Sequence, residues 1–422
     1  PPTPLVGRRL PSRSQENDWM RRFRRPRIAR DAEHAVVYRR ENEFASHPYV
    51  RGFWETAAGH LICNFSLATV NYRGDPNHLA HIHLVRSAGG RRSVTIRSED
   101  RGRTWKVTHA DRNRPSNDVR APRAGVDGRP GSLAELAPVD YTNRDVLLSN
   151  FNYLYMKEDP LIRDFYEDLK QYVDAPERQV FIRVSKDAGR TWSRSVMLPL
   201  DGLYSLAATE SVTVRPDGRA LLFLNGVTRQ GATSRPLVYR STDDGTSFHF
   251  LSFITPDDES RYGGLVQMYP RGLMLPNGQL LCALRLDRDW AGDMWTEMYR
   301  SDDGGRTWQF LSRVNDFGAP AAPLRMSDGR LVVVYGSRLP PAGLRAIVSE
   351  DEGLTWGPEI IVRDDGGSWD VGYPRVWEAA PGRIGAIYYY NSKDDPVQVK
   401  PSGTPWGAGG VRFIARSFFS VD

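Results

Sequence analysis

Tyr269 and Arg271 stand nine and seven residues before Gly278, and Tyr373 and Arg375 stand nine and seven before Gly382. Tyr49 and Arg51 repeat the pair before Gly59, one residue further from the glycine, with His47 just upstream. Glu210 lies eight residues before Gly218. Between such segments lie Asp75, His78, Arg229, Arg235, Arg285, Arg288, Arg338 and Arg345. A guanidinium is a planar fork that matches a carboxylate or phosphate. A phenol or imidazole beside it can act as nucleophile or base, and a carboxylic acid can protonate a leaving group. So many arginines recurring at equivalent places imply an anionic ligand.

The elements that would bring these residues together repeat. The pattern Ser-x-Asp-x-Gly-x-Thr-Trp occurs at 98–105, 185–192, 301–308 and 349–356, and a weaker copy keeps Ser241, Asp243 and Gly245 but ends in Ser247 and Phe248. Each copy reads as a hairpin in which Ser and Asp bond the turn backbone, Gly supplies positive φ and the aromatic ring fills space beside the strands. Asp217-Gly218, Asn277-Gly278 and Asp328-Gly329 are turn dipeptides before β-rich runs, and Gly59 and Gly382 hold the same place. The unit is strand, Gly turn, strand, variable loop, strand, eight-residue turn, strand. It predicts an all-β, six-bladed propeller of four-stranded antiparallel blades near 46–112, 140–200, 204–254, 262–315, 316–365 and 366–419. The sixth blade lacks the eight-residue turn, and Ala35 to Tyr38 is available as its outermost strand, which would close the ring and remove open edges.

The interval from Ser98 to Ser185 is 87 residues, against 48 to 60 for the others. Residues 107–139 read as a loop, and 159–173 carry Leu161, Phe165, Leu169 and Tyr172 at helical spacing, a short helical insertion in blade two. Both are expected on the rim of the variable loops. Residues 1–32 read as an arm or tail and 33–422 as the propeller.

Composition narrows the function. The net charge is +6, and Arg supplies all but six of the 57 basic residues; the arginines crowding the N-terminus read as a solvated tail, not a nucleic-acid arm. No apolar run is long enough to span a membrane, and the first residues lack the apolar stretch of a signal peptide. The opening at Pro1 implies a preceding segment, so secreted, periplasmic and cytoplasmic locations stay open. Cys63 and Cys282 fall in blades one and four, across the axis, and are expected as free thiols. His81 and His83 share a strand face, but without a third ligand beside them no metal site is expected, nor any cofactor.

The five eight-residue turns resemble the Asp boxes of the sialidase (neuraminidase) superfamily, and the segment WDVGYPRVWEAAPGRIGAIYYY resembles that family's last blade, over roughly 33–420. The resemblance implies an exo-acting glycoside hydrolase releasing a terminal acidic sugar, sialic acid or a related ulosonic acid, with an acidic glycan as its partner. It puts Tyr373 at the nucleophile, Arg51, Arg285 and either Arg338 or Arg345 at the carboxylate-binding arginines, and Asp75 at the acid. Where the family has a glutamate on the inner strand of blade four this chain has Tyr269, and Glu210 is the candidate replacement. Two other readings use the same funnel. In one, a polysaccharide lyase acts on a uronate with His47, Tyr269 or Tyr373 beside Arg271 or Arg375; in the other, the propeller binds sugar without catalysis.

Overall fold

The computed structural model describes residues 25–48, 52–74, 91–110, 126–130, 132–154, 178–229, 231–288, 293–400 and 408–422. Most of the expected arm and the helix expected over 159–173 lie outside them. Six sheets follow one another around an axis. From the axis outward, blade three is Ser205–Val214, Ala220–Val227, Arg235–Ser241 and Phe248–Phe253; blade four is Val266–Met274, Leu280–Asp287, Met294–Ser301 and Gln309–Asn315. Blade five is Gly318–Arg325, Leu331–Ser337, Gly343–Ser349 and Ile360–Arg363, and blade six is Gly372–Ala380, Arg383–Tyr390, Phe413–Ser420 and Glu33–Tyr38. Blade one is Glu43–Ser46, Leu61–Thr69, Arg91–Ser98 and Lys106–Ala110, with Phe53–Glu55 continuing the inner position along Leu61–Thr69.

Ring closure follows the expectation: Glu33–Tyr38 pairs antiparallel with Phe413–Ser420, so the last blade is completed by the start of the chain. Arg27–Ile28, counted with the arm in the sequence, adds a parallel strand to Ile360–Arg363 of blade five, and the Arg27 guanidinium donates to the carbonyls of Val421 and Asp422. Blade two departs from the expected unit. Its axial strand is Leu147–Leu154, followed outward by Arg178–Ser185 and Ser195–Met197, and Val126–Pro130 runs parallel to Ser195–Met197 on the outside. Residues 107–139 are therefore not loop throughout. The three-residue Ser195–Met197 would leave an open edge, which Val126–Pro130 covers, and its Asp, Gly, Arg and Pro hide the alternation that marks a strand.

Each Asp box is a hydrogen-bonded turn that grips the preceding blade. Ser98 Oγ donates to Asp100 Oδ1 at 2.8 Å and accepts from Gly102 N at 2.7 Å, while Thr104 N and Oγ1 donate to Asp100 at 2.8 and 2.6 Å. The same net recurs on Asp187, Asp303 and Asp351. The turn needs two successive positive φ angles, at Arg101 and Gly102, Ala188 and Gly189, Gly304 and Gly305, and Glu352 and Gly353, the geometry of a type I′ hairpin turn. The tryptophan then reaches backward: Trp105 meets Trp377 of blade six, Trp192 meets Trp54 of blade one, and Trp308 meets Phe223 of blade three. The weak fifth copy uses a shifted carboxylate. Asp244, not Asp243, accepts from Thr242 Oγ1 and Thr246 Oγ1, and exposed Asp243 pairs with Arg219.

The core is a ring of clusters between neighbouring blades, as between blades five and six, where Val332, Val334 and Leu344 pack with Ile384, Tyr388 and Phe419. Cys63 and Cys282 are buried free thiols.

Candidate functional site

The inner strands of blades three to six break register at one equivalent place: between Ala208 and Ser211, Met268 and Arg271, Gly318 and Ala321, and Gly372 and Arg375. Two residues bulge out each time, and the first of them is Thr209, Tyr269, Ala319 or Tyr373. Pro follows in three of the four, which suits a position whose N–H is outside the ladder. Tyr269 and Tyr373 adopt φ of 56° and 50°, and His47, at the end of the first inner strand of blade one, adopts 54°. A side chain in this region costs about 1–2 kcal/mol, so three at one rim mark stored strain of the kind found where side chains must be aimed.

The strain turns three rings together. Tyr373 has His47 edge-on at 5.0 Å, Tyr269 edge-on at 5.3 Å and Tyr389 tilted at 5.7 Å. The second strands supply the charges. Arg285 sits opposite Met268 at the end of Leu280–Asp287; its Nη1 donates to Tyr373 Oη at 3.1 Å and its Nη2 to Asp287 Oδ2 at 2.6 Å. Arg338, just past Leu331–Ser337, lies 5.8 Å from the Tyr373 ring centre and 5.6 Å from that of Trp369, and its Nη1 donates to Trp369 O at 2.6 Å. Arg338 Nε and Nη2 are buried without a hydrogen-bond partner. Asp370 accepts from Tyr389 Oη at 2.6 Å and from Arg412 Nη2 at 3.3 Å.

Burial drives the Tyr373 phenol pKa up, and neighbouring Tyr269 adds to this; Arg285 and Arg338 pull the other way without reversing it, so the phenol is neutral near pH 7. Burial opposes the charge on Arg285, yet Asp287, Tyr373 and Tyr269 together outweigh it and hold the guanidinium charged. Burial and the Asp370 carboxylate likewise keep Tyr389 neutral. The site thus joins a neutral phenol whose oxygen already accepts an arginine N–H to a second buried arginine, two of whose nitrogens lack a hydrogen-bond partner, a donor set of the kind that matches a carboxylate or phosphate oxygen.

Of the residues singled out in the sequence, Tyr373, Tyr269, His47, Arg285 and Arg338 come together here. Arg345 does not join them: it donates to the carbonyls of Arg363 at 2.7 Å and Pro341 at 2.9 Å and faces Glu359 at 3.7 Å. Arg271 donates to Thr209 O at 2.5 Å, and Arg271 and Arg375 line a cavity of about 330 Å³ on the turn side of the bulges, whose wall includes none of the tyrosine cluster. Glu210 is the second bulged residue of blade three, described in its backbone alone. Arg51 and Asp75 lie outside the described residues, as do His78, His81 and His83. Among the described residues, no three His, Cys, Asp or Glu side chains form a metal-holding group, and no helix is long and apolar enough to cross a membrane.

Sequence reasoning missed Asp287, Tyr389, Asp370 and Arg412. Asp287 was detectable, because two residues after Arg285 on a strand is the same face. Tyr389 was half visible, since alternation in Tyr388-Tyr389-Tyr390 sends the middle ring opposite to the others. Asp370 and Arg412 precede strands in loops and carry no periodic signal.

The BNR/Asp-box repeat family model matches residues 299–310, which contain the blade-four Asp box. No curated protein matches the chain in sequence. Among solved structures, a protein of unknown function from Dyadobacter fermentans is similar with a TM-score of 0.63 and 20% identity, over 92% of this chain and 98% of that one. The Hadza microbial sialidase Hz136 is similar with a TM-score of 0.56 and 15% identity, over 90% of this chain and 66% of that one. The GH93 α-L-arabinofuranosidase of Fusarium graminearum, solved with arabinobiose, gives 0.54 and 12%, over 92% and 95%. At such identities the likeness is one of fold. The chain is a six-bladed β-propeller with BNR/Asp-box repeats, and it shares the fold of the sialidases.

Proposed function

We propose that the chain is an exo-acting glycoside hydrolase that releases a terminal acidic sugar, sialic acid or a related ulosonic acid. The observation that carries this reading is the Tyr373 hydroxyl held by Arg285 Nη1 at 3.1 Å, beside the buried, unpartnered Nε and Nη2 of Arg338. A sugar with a carboxylate on its reacting carbon repels an anionic nucleophile, and a phenol neutral until activated avoids that repulsion. Arg285 and Arg338 hold the carboxylate, with Arg51 as the third arginine. Tyr373 Oη attacks the anomeric carbon as its proton passes to a base, for which Glu210 is the candidate, and Asp75 protonates the departing glycosidic oxygen. Water then cleaves the glycosyl-tyrosine bond and restores the phenol.

His47, edge-on to Tyr373 at 5.0 Å, favours a second reading: a lyase in which imidazole or phenol removes the proton α to an arginine-neutralised uronate. Chromogenic glycosides of acidic and neutral sugars, run beside uronate polysaccharides, separate the two. Hydrolysis confined to acidic glycosides, with no new ultraviolet absorbance, is expected. Unsaturated product establishes the lyase, and tight binding of an acidic sugar without turnover leaves a binding propeller.

A further inference from the structure

We infer that Tyr269 is a catalytic residue of the glycosidase proposed above: its hydroxyl takes the proton of Tyr373 and passes its own on to the base. The inference rests on that reading of the site. Two observations fix where the Tyr373 proton points. Arg285 Nη1 donates to Tyr373 Oη at 3.1 Å, and a guanidinium accepts nothing in return, so the phenol's own O–H is directed elsewhere. The Tyr373 and Tyr269 hydroxyls are hydrogen-bonded, and the bond favours the neutral Tyr373 phenol, as it does when Tyr373 is the donor. The competing acceptor is His47, edge-on to Tyr373, whose Nδ1 is engaged by Ser46 Oγ at 2.7 Å.

The backbone aims Tyr269 at this task. It is the first bulged residue of blade four, at a φ of 56°, and its ring stands edge-on to that of Tyr373 at 5.3 Å. The Arg285 guanidinium lies 5.5 Å from the Tyr269 ring centre as well, so one cation stabilises negative charge developing on either phenol oxygen. Blade three lies across the axis from blade six, so Glu210 and Tyr373 start from opposite sides of the funnel. Blade four adjoins blade three, and its tyrosine already reaches Tyr373. The bulge that carries Glu210 is tied to the one that carries Tyr269: Arg271 Nη1 donates to Thr209 O at 2.5 Å and Thr209 Oγ1 to Pro270 O at 3.5 Å. As Tyr373 Oη bonds to the anomeric carbon and the glycosidic C–O bond breaks, the Tyr373 proton moves to Tyr269 Oη and the Tyr269 proton to Glu210, while Asp75 protonates the departing oxygen. When water cleaves the glycosyl-tyrosine, its hydroxyl goes to the anomeric carbon, its proton to Asp75, and both phenol transfers run backward. Tyr269 is unchanged over the cycle.

The test is single-turnover cleavage of an activated aryl glycoside of sialic acid by the full chain in mixtures of H2O and D2O, beside equilibrium binding of the free sugar. The activated leaving group needs little protonation, so the protons in flight are those of the two phenols. The wild type should give a curved proton inventory. Tyr269→Phe removes one oxygen and should slow the step about 100-fold while binding stays within about threefold. Tyr269→Glu, whose carboxylate accepts the proton directly, should recover at least about tenfold of that loss with a linear inventory. A Tyr269→Phe rate within about threefold of wild type, an equal loss of rate and binding, or a linear wild-type inventory overturns the relay and leaves the hydrolase standing. The last needs no variant, so it decides even if neither substituted chain folds. A wild type that cleaves no acidic glycoside removes the hydrolase, and the relay with it.

Discussion

Replacing Asp287 by Asn tests whether the candidate site is held by a buried ion pair. The Arg285 and Asp287 side chains are 1% and 0% exposed and meet at 2.6 Å. Removing one member of such a pair leaves the other charge buried and uncompensated, a cost of about 3–5 kcal/mol, the lower figure applying if the Asn carbonyl still accepts one N–H. Unfolding entropy of about 2 cal/mol/K per residue gives roughly 0.9 kcal/mol/K for a chain of 422 residues, so the Tm should fall by about 3–6 °C. The assay is calorimetric and urea unfolding of wild type, Asp287→Asn, Arg285→Met and the Arg285→Met/Asp287→Leu double variant. Because desolvating the pair nearly cancels its attraction, the double variant should cost less than the two singles summed, with a coupling of at least about 2 kcal/mol. Asp287→Asn within 1 kcal/mol of wild type, or strict additivity, would refute the reasoning.

Asp100, Asp187 and Asp303 feel some burial, but hydrogen bonds, first from the box threonine, outweigh it and hold each pKa at about 2. A depressed carboxylate stabilises above its unfolded pKa of about 4 and loses that contribution as pH falls toward 2, so acid unfolding followed by tryptophan fluorescence should begin below about pH 4, and Asp→Asn at these boxes should flatten that limb. In blade three, Asp244→Asn should lower the urea unfolding midpoint more than Asp243→Asn does, because Asp244 holds the turn threonines; equal effects would return the turn to the register expected from its sequence. Cys63 and Cys282 should resist a thiol reagent in the native protein and both react after denaturation without reductant, whereas a disulfide in unreduced protein would contradict the blade placement. Arg285→Ala should weaken binding of an acidic sugar by about one to two orders of magnitude and of its neutral analogue hardly at all; indifference to ligand charge would place the carboxylate elsewhere in the funnel.

The ring was legible because its signals are local. Ser98 to Trp105 and its repeats need only eight residues to make a turn, and the turn glycines at 218, 278, 329 and 382 set the phase of each inner strand. That phase placed Tyr269 and Tyr373 correctly at one level. It gave no hint of the bulge that Tyr269 and Tyr373 open and Arg271 and Arg375 close, because a register shift depends on what the neighbouring strand pairs with. Blade two was the hardest to read: Val126–Pro130 becomes a strand by covering another strand's edge, not by its own pattern. Arg338 and Arg345 were indistinguishable in sequence, and only packing shows that Arg345 is occupied by backbone carbonyls while Arg338 borders the tyrosine.

The central claim is that Tyr373 performs covalent chemistry on an acidic sugar, and Tyr373→Phe isolates it because the change removes one oxygen and keeps the ring among His47, Tyr269 and Tyr389. Steady-state turnover on the best acidic glycoside, measured beside equilibrium binding of the released sugar, is the direct test. Binding should stay within about threefold of wild type while kcat falls by roughly three orders of magnitude or more. A Tyr373→Phe protein that turns over the same substrate at near wild-type rate would contradict the account.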